Sequence, residues 1–437
     1  MDIDTLIYAR WVIPVEPQGV VLDDHAIAVD GGRIVEILPA DTARTRYHAL
    51  NVHDLDGHAL LPGLINAHTH AAMTLFRGLA DDLPLMDWLN QHIWPAEQRW
   101  VAPQFVADGS RLAFAEMIRG GTTCFSDMYF FPEQTAEAVL EAGLRSLLGL
   151  VFIDFPTAWA RDADEYFRKG LALHDRYKNH PLIRTAFAPH SPYTVSDAPL
   201  KKINALAQEL GIPIQMHVHE SEEEIAQGME LHGKRPLERL ADLGLLGEHF
   251  IAVHMTQLEW PDIELVARHG VHVAHCAESN LKLASGFCPV MDLVGAGVNV
   301  AIGTDGAASN NDLDMIGEMR SAALLAKGMA RDPRALPAAQ VLTMATLNAA
   351  RALGMDQLIG SLLPDKQADL IAIDLNRPET QPVYDPIAQI VYSADRSQVT
   401  DVWVAGRQLM RERELLTINE AEALARAEEW AAKVRSE

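Results

Sequence analysis

The stretch Leu61-Pro62-Gly63-Leu64-Ile65-Asn66-Ala67-His68-Thr69-His70 runs an apolar segment straight into two histidines spaced two apart. A near-continuous apolar run, rather than an alternating one, marks a strand buried on both faces, as in a parallel sheet covered by helices. Side chains two apart on a strand project from the same face, so His68 and His70 can approach one metal ion together. The plainer alternative is a pair of polar residues at a strand end bonded to backbone, and the remainder of the chain has to decide between the two.

Working outward, eight candidate strands follow one another: Ala59 to Asn66, Thr122 to Asp127, Arg145 to Phe152, Ile183 to Ala188, Ile214 to Val218, Phe250 to His254, His272 to His275 and Val298 to Gly303. Amphipathic segments such as Pro199 to Leu210 and Pro261 to Arg268 separate them, which is the pattern of βα units with right-handed crossovers. Eight such units predict an α/β chain with a closed (β/α)8 TIM-like barrel over residues 60–365. An open doubly wound sheet is the competing arrangement, but no Gly-x-Gly-x-x-Gly follows an early strand.

The chain ends read differently. Thr5 to Val15, His25 to Val29 and Arg33 to Leu38, with a turn at Asp30-Gly31-Gly32, form a hairpin-rich β segment. Asp369 to Leu375 and Val399 to Met410, the latter broken at Ala405-Gly406, match it, and a helical tail begins near Asn419. Together they predict a small discontinuous β-sandwich domain, residues 1–59 and 366–437, that includes the C-terminal helix.

Composition narrows the partners. The 437 residues are 49% hydrophobic and 22% charged, ordinary for a globular enzyme, and the formal net charge of −24 disfavours phosphate backbones and anionic lipid. Neither nucleic acid nor a membrane is expected. Cys124, Cys276 and Cys288 fit neither a disulfide framework nor a zinc ribbon, and no secretory leader or membrane-length apolar run is present, so a cytoplasmic location is expected.

Histidines and acids recur at the other strand ends. His217 and His219, followed by Glu220, close the fifth candidate strand, His254 closes the sixth, and Asp305 follows the eighth in Gly303-Thr304-Asp305-Gly306. Carboxyl ends of barrel strands converge on one face, where barrel enzymes carry their active sites. Imidazoles with one carboxylate suit Zn(II) or Fe(II), and such a site favours hydrolysis because it lowers the pKa of a bound water to about 7. Spacing alone does not choose between His217 and His219, which share a face in an ideal strand.

The segment from Leu61 to Met73 resembles the first-strand motif of deaminases in the amidohydrolase superfamily. With Glu97, His190-Ser191-Pro192-Tyr193, His217-Val218-His219-Glu220, Ser279-Asn280-Leu281-Lys282-Leu283 and Gly303-Thr304-Asp305-Gly306, the chain is similar to the 5-methylthioadenosine/S-adenosylhomocysteine deaminase family over nearly its whole length. The resemblance implies a metallohydrolase barrel with one divalent ion, Zn(II) or alternatively Fe(II), held by His68, His70, His217 and Asp305. It implies Glu220 as the proton shuttle to N1 of the adenine, Asp305 as acceptor of the water proton and His254 as a residue positioning that water. Glu97 would grip the ribose hydroxyls, His190 would contact the purine and Trp94 would lie against the nucleoside. His272 and His275 are expected to stay outside the site.

The same resemblance implies a cation for the amino-acid tail of S-adenosylhomocysteine, and Arg161 is its nearest match. A second expected cation is missing where the chain reads Leu148-Gly149-Leu150, which tilts preference towards the uncharged methylthio substrate. The fourth strand ends Phe187-Ala188-Pro189-His190, without the lysine that bridges two metals in related hydrolases, so a single metal follows. Ala277 and Asp365 replace a usual proline and turn glycine away from the metal residues, and Asp tolerates left-handed turn geometry. The resemblance further implies a homo-oligomer. A cytidine-type deaminase is excluded by the lack of His-x-Glu and Pro-Cys-x-x-Cys. The alternatives are a guanine or pterin deaminase, a triazine-type hydrolase of the same superfamily, or a barrel that binds metal or nucleoside without turnover.

Overall fold

The computed structural model describes residues 1–435. Its eight-stranded barrel sheet follows sequence order: β5 (Leu64–Thr69), β6 (Thr122–Asp127), β7 (Arg145–Phe152), β8 (Ile183–Pro189), β9 (Ile214–Val218), β10 (Phe250–His254), β11 (His272–His275) and β12 (Asn299–Ile302). From β7 to β12 every neighbour pairs in parallel. Beyond β12 the chain returns to β5, where the Asp305 N–H donates to the His68 carbonyl at 3.0 Å. Gly303 permits that approach, since a Cβ there would lie 2.6 Å from the His68 nitrogen.

The chain ends supply the other sheet, built from β1 (Asp2–Val12), β2 (Leu22–Asp30), β3 (Arg33–Pro39), β4 (His48–Pro62), β13 (Leu370–Asp374), β14 (Val399–Val404), β15 (Arg407–Arg411) and β16 (Glu414–Leu415). They hydrogen-bond into one mixed sheet in the order β16-β15-β14-β13-β4-β1-β2-β3, with β1 and β4 parallel. Alternation gives the sheet two apolar faces: Ile7, Ala9, Ile27 and Val29 enter one core cluster, and Leu6, Tyr8, Ala26 and Ala28 enter another. The second is closed by Ala43 on the helix Ala40–Arg46, which sequence reading had not anticipated.

Two compact units partition the chain, Met1–Asn66 with Ala115–Cys124 and Asp314–Asn419, and Ala67–Phe114 with Phe125–Leu313 and the residues from Glu420 on. The carboxyl ends of all eight barrel strands lie in the second unit. The helix Glu420–Arg435, expected with the end module, groups with this second unit instead. Its Trp430 indole packs on Phe105 at 5.2 Å and donates to Asp108 at 3.0 Å, satisfying a buried N–H that end strands would have left to solvent.

The expected strand Ala59 to Asn66 is two strands. Ala59 to Pro62 finishes β4 in the end sheet, and the barrel begins at Leu64. Gly63 marks the change: its N–H turns to the Asp369 carbonyl at 3.0 Å, while the Leu64 N–H turns to Gly121 at 3.0 Å. A methyl group on Gly63 would sit 2.0 Å from Thr123 Oγ1. Gly63→Ala is therefore expected to destabilise the protein by about 1–3 kcal/mol, as overpacking of a dense core does, read as a lowered midpoint in chemical unfolding; an unchanged midpoint would refute this account of the joint.

Candidate active site

Each expected metal-ligating side chain ends a barrel strand or follows one, and the structure brings them together. His68 Nε2 lies 3.2 Å from His217 Nε2 and 3.4 Å from Asp305 Oδ1, and His70 Nε2 lies 3.1 Å from the same oxygen. Two overlapping donor groups result, His68/His70/Asp305 and His68/His217/His254, each with ligand atoms within 4.8 Å of one another.

Hydrogen bonding on the far side of the rings sets their tautomers. His70 Nδ1–H donates to the Met128 carbonyl at 2.5 Å and His217 Nδ1–H to the His190 carbonyl at 2.7 Å, turning both Nε2 atoms inward. Burial lowers the His68 pKa to about 4, and burial together with the neighbouring histidines drives His217 well below its usual range, so both present neutral rings. Burial opposes charge on Asp305, but hydrogen bonds from His68 and His70 outweigh it and hold the carboxyl well below the usual range. The second carboxylate oxygen accepts from Ser279 at 2.7 Å and Ser309 at 2.8 Å. His68 and His217 as neutral rings and Asp305 as a carboxylate are donor states that a divalent cation requires; burial opposes charge on His70, yet Asp305 raises its pKa to about 9, and a cation beside Asp305 would displace that proton, so the residues present fit one.

Backbone geometry separates the twin histidines after β9. His219 takes φ +54°, which swings its ring out of the alternation of the strand. The ring is fully buried elsewhere, its Nδ1–H donating to the Gln257 carbonyl at 3.1 Å and its Nε2 accepting from the Leu237 N–H at 3.1 Å. Neither His219 nor His275 belongs to the donor groups, and His272 pairs with Asn299 at 3.0 Å. Asp305 at φ +61° and His254 at φ +75° are turned by the same left-handed device, towards the site in their case. Strain of this kind concentrates at functional strand ends.

A cavity of about 560 Å³ opens over the donors, a size suited to a small ligand. His70, His190, His217, Glu220, His254 and Asp305 line its floor, with Glu97 and Trp94 on its wall. Glu220 Oε2 stands 3.7 Å from His254 Nε2. Burial raises the Glu220 pKa, His254 opposing, and burial pushes the Glu97 carboxyl up to about 7. His190, lowered to about 3 by burial and then by His70 and His68, is a neutral ring.

Arg161 is not brought in. Its side chain is 83% exposed and pairs with Glu165 at 2.9 Å, one turn along at the start of the helix Ala163–Tyr177. That local i,i+4 partner, rather than a ligand, explains the arginine. Among the described residues no lysine or arginine lines the cavity.

Several supporting residues escaped sequence reading. Asn280 Oδ1 accepts from His254 Nδ1–H at 2.8 Å, and the hydroxyls of Ser279 and Ser309 hold Asp305; Ser279 and Asn280 lie in a quoted motif but without an assigned role, because spacing carries no signal for such long-range partners. Glu224 accepts the N–H groups of His219 and Glu220 at 2.8 and 2.9 Å. Here a signal existed, because Ser221-Glu222-Glu223-Glu224 has the Ser-x-x-Glu form of a helix N-terminus.

Comparison with known proteins agrees with this geometry. The amidohydrolase family model matches residues 59–409, and the chain belongs to that family. It is 49% identical to the 5-methylthioadenosine/S-adenosylhomocysteine deaminase of Saccharophagus degradans, covering 99% of this chain and 97% of that one, and 50% identical to the enzyme of that name from Teredinibacter turnerae, covering 99% and 98%. The chain falls within the branch of the family that carries this name. A crystal structure of an adenosine deaminase from Xanthomonas campestris with bound zinc superposes with a TM-score of 0.99 at 53% identity, covering 100% of this chain and 99% of that one.

If the converging donors hold a cation, protein saturated with zinc and desalted should retain one ion per chain by elemental analysis. His217→Asn should lose most of it and His275→Asn should retain it. Equal retention by both variants would dismiss His217 as a ligand.

Proposed function

We propose that the chain is a hydrolytic deaminase acting on the adenine amino group of 5′-methylthioadenosine, using one divalent cation. The donor set points to zinc, the ion bound in the Xanthomonas structure, and Fe(II) would suit the same ligands. His68, His70, His217 and Asp305 would hold it, and it would supply Lewis acidity to an attacking water. The observation that carries the reading is a buried carboxylic acid, Glu220, set beside this donor cluster at the floor of a nucleoside-sized cavity.

The remaining chemistry belongs to side chains. As water adds to C6 of the adenine, Glu220 delivers a proton to N1, and Asp305 takes the proton the water gives up. The carbon becomes tetrahedral. The proton held by Asp305 then passes to the exocyclic nitrogen, ammonia leaves, and loss of the O6 hydroxyl proton to Glu220 gives the inosine analogue and restores both carboxyl groups. Burial raises the Glu220 pKa, the direction that favours a proton donor. His254, beside Glu220, orients the water, and its own ring is fixed by Asn280. Glu97 accepts from the ribose hydroxyls, His190 meets the purine edge and Trp94 covers the nucleoside.

The lining of the cavity supports an uncharged substrate tail. Leu85, Trp88, Ile93, Val151, Ile153 and Phe155 offer apolar surface to a methylthio group, whereas a zwitterionic amino-acid tail would find no basic side chain. Cations and bidentate partners are what carboxylate recognition requires. The three buried free cysteines support a reducing, cytoplasmic setting, and among the described residues no helix is long and apolar enough to cross a membrane.

Purified protein should therefore consume 5′-methylthioadenosine, followed as loss of the adenine absorbance, with kcat/KM at least about tenfold above that for S-adenosylhomocysteine, as an unpaired charge in a pocket costs about 1–3 kcal/mol. The reverse order would overturn the tail assignment alone. Glu220→Gln should keep its metal and lose turnover by about 100-fold or more. Arg161→Ala should stay within about twofold of the parent on both substrates, as surface changes do.

A further inference from the structure

We propose that Glu224 and Thr256 form a clamp on the backbone of His219 and Glu220, and are positioning residues for the catalytic carboxyl. The inference rests on the reading of Glu220 as the proton shuttle. At the end of β9 the left-handed turn at His219 removes two successive peptide groups from the strand ladder, in a region where His219 is 0% and Glu220 8% exposed. Each such group left without a partner would cost about 1–3 kcal/mol.

The two N–H groups go to one side chain. Glu224 Oε1 accepts from His219 at 2.8 Å and Oε2 from Glu220 at 2.9 Å, a two-pronged contact that needs both carboxylate oxygens as acceptors. The carbonyls go to Thr256. Its hydroxyl donates to the Glu220 carbonyl at 2.7 Å, and its N–H, with that of Gln257, reaches the His219 carbonyl at 3.0 Å.

Each jaw of the clamp is itself anchored. Glu224 stands in the first turn of the helix Glu222–His232, where its N–H donates to the Ser221 hydroxyl at 3.2 Å. Thr256 follows β10 by two residues, so the carbonyl jaw is carried by the strand that presents His254. The clamp thereby fixes Glu220 relative to His254, 3.7 Å from its carboxyl. Both side chains are buried, Glu224 at 4% and Thr256 at 7% exposure, and neither lines the cavity. Their effect must pass through Glu220, by holding its carboxyl where the proton is to be delivered.

The test is a cycle with Glu220→Gln. Thr256→Val keeps the shape and removes the hydroxyl, Glu224→Gln turns one acceptor oxygen into an NH2 that faces a backbone N–H, and Thr256→Ser restores the hydroxyl. Thr256→Val and Glu224→Gln are expected to lower kcat by about 10- to 100-fold with KM within about threefold, the signature of a displaced catalytic group, at unchanged metal content. Thr256→Ser should recover kcat to within about threefold. In the Glu220→Gln background the further loss should shrink to about twofold or less, because partners acting through one group are not additive.

An unchanged kcat in both clamp variants, or the same loss persisting without the Glu220 carboxyl, would overturn the clamp while leaving Glu220 as the shuttle. If Glu224→Gln does not fold, the Thr256 pair carries the test alone. Full turnover by Glu220→Gln itself would overturn the shuttle, and the clamp with it.

Discussion

Histidine and aspartate donor atoms crowded into one buried pocket are the constraint on which this structure turns. His68 Nε2 and His217 Nε2 approach to 3.2 Å, and His70 and His68 crowd one Asp305 oxygen at 3.1 and 3.4 Å. Burial strips away the water that would otherwise separate such donors. A cation bound among them would replace these close contacts with ligation, and much of the surrounding structure holds the donors in that posture. The carbonyls of Met128 and His190 fix the imidazole protons outward, and two serine hydroxyls occupy the oxygen of Asp305 that the histidines do not.

Much of this was legible because barrels impose it. Buried apolar runs ending in His68, His217, His254 and Asp305 announce both the strands and the face on which they converge, since parallel strands share one carboxyl end. Two kinds of information were not legible. The break at Gly63 depends on a close approach by Thr123, a contact far away in sequence, so one apolar run concealed two strands belonging to different sheets. The choice of His217 over His219 depends on φ at His219: the period-two rule holds only while the backbone stays extended, and it stops one residue too early. There the resemblance to known deaminases carried what spacing could not.

Arg161 illustrates the opposite error, a residue whose type fits a role but whose surroundings do not. Its run of acidic neighbours contains Glu165 in the first turn of the helix that follows, and Arg161 pairs with it at 2.9 Å from outside the cavity. Charge matched by sequence neighbours is weak grounds for assigning a distant partner, whereas Glu220 and Glu97, pressed into a cavity where burial raises their pKa, have no equally simple structural use.

The division between strand ends and loops has a consequence for how such a site can change. The proposed cation donors sit on or within three residues of the ends of β5, β9 and β12, where displacement would disturb barrel packing. Much of the cavity wall comes from the helical segment around Leu85 to Val101 and the stretch from Ile153 to Ala158, which lie outside the barrel strands. Substitutions in those walls can alter the shape and charge of the tail pocket without moving a ligand atom. The proposed chemistry at C6 thus rests on the same packing that builds the barrel, while the proposed tail pocket is built from segments outside the strands.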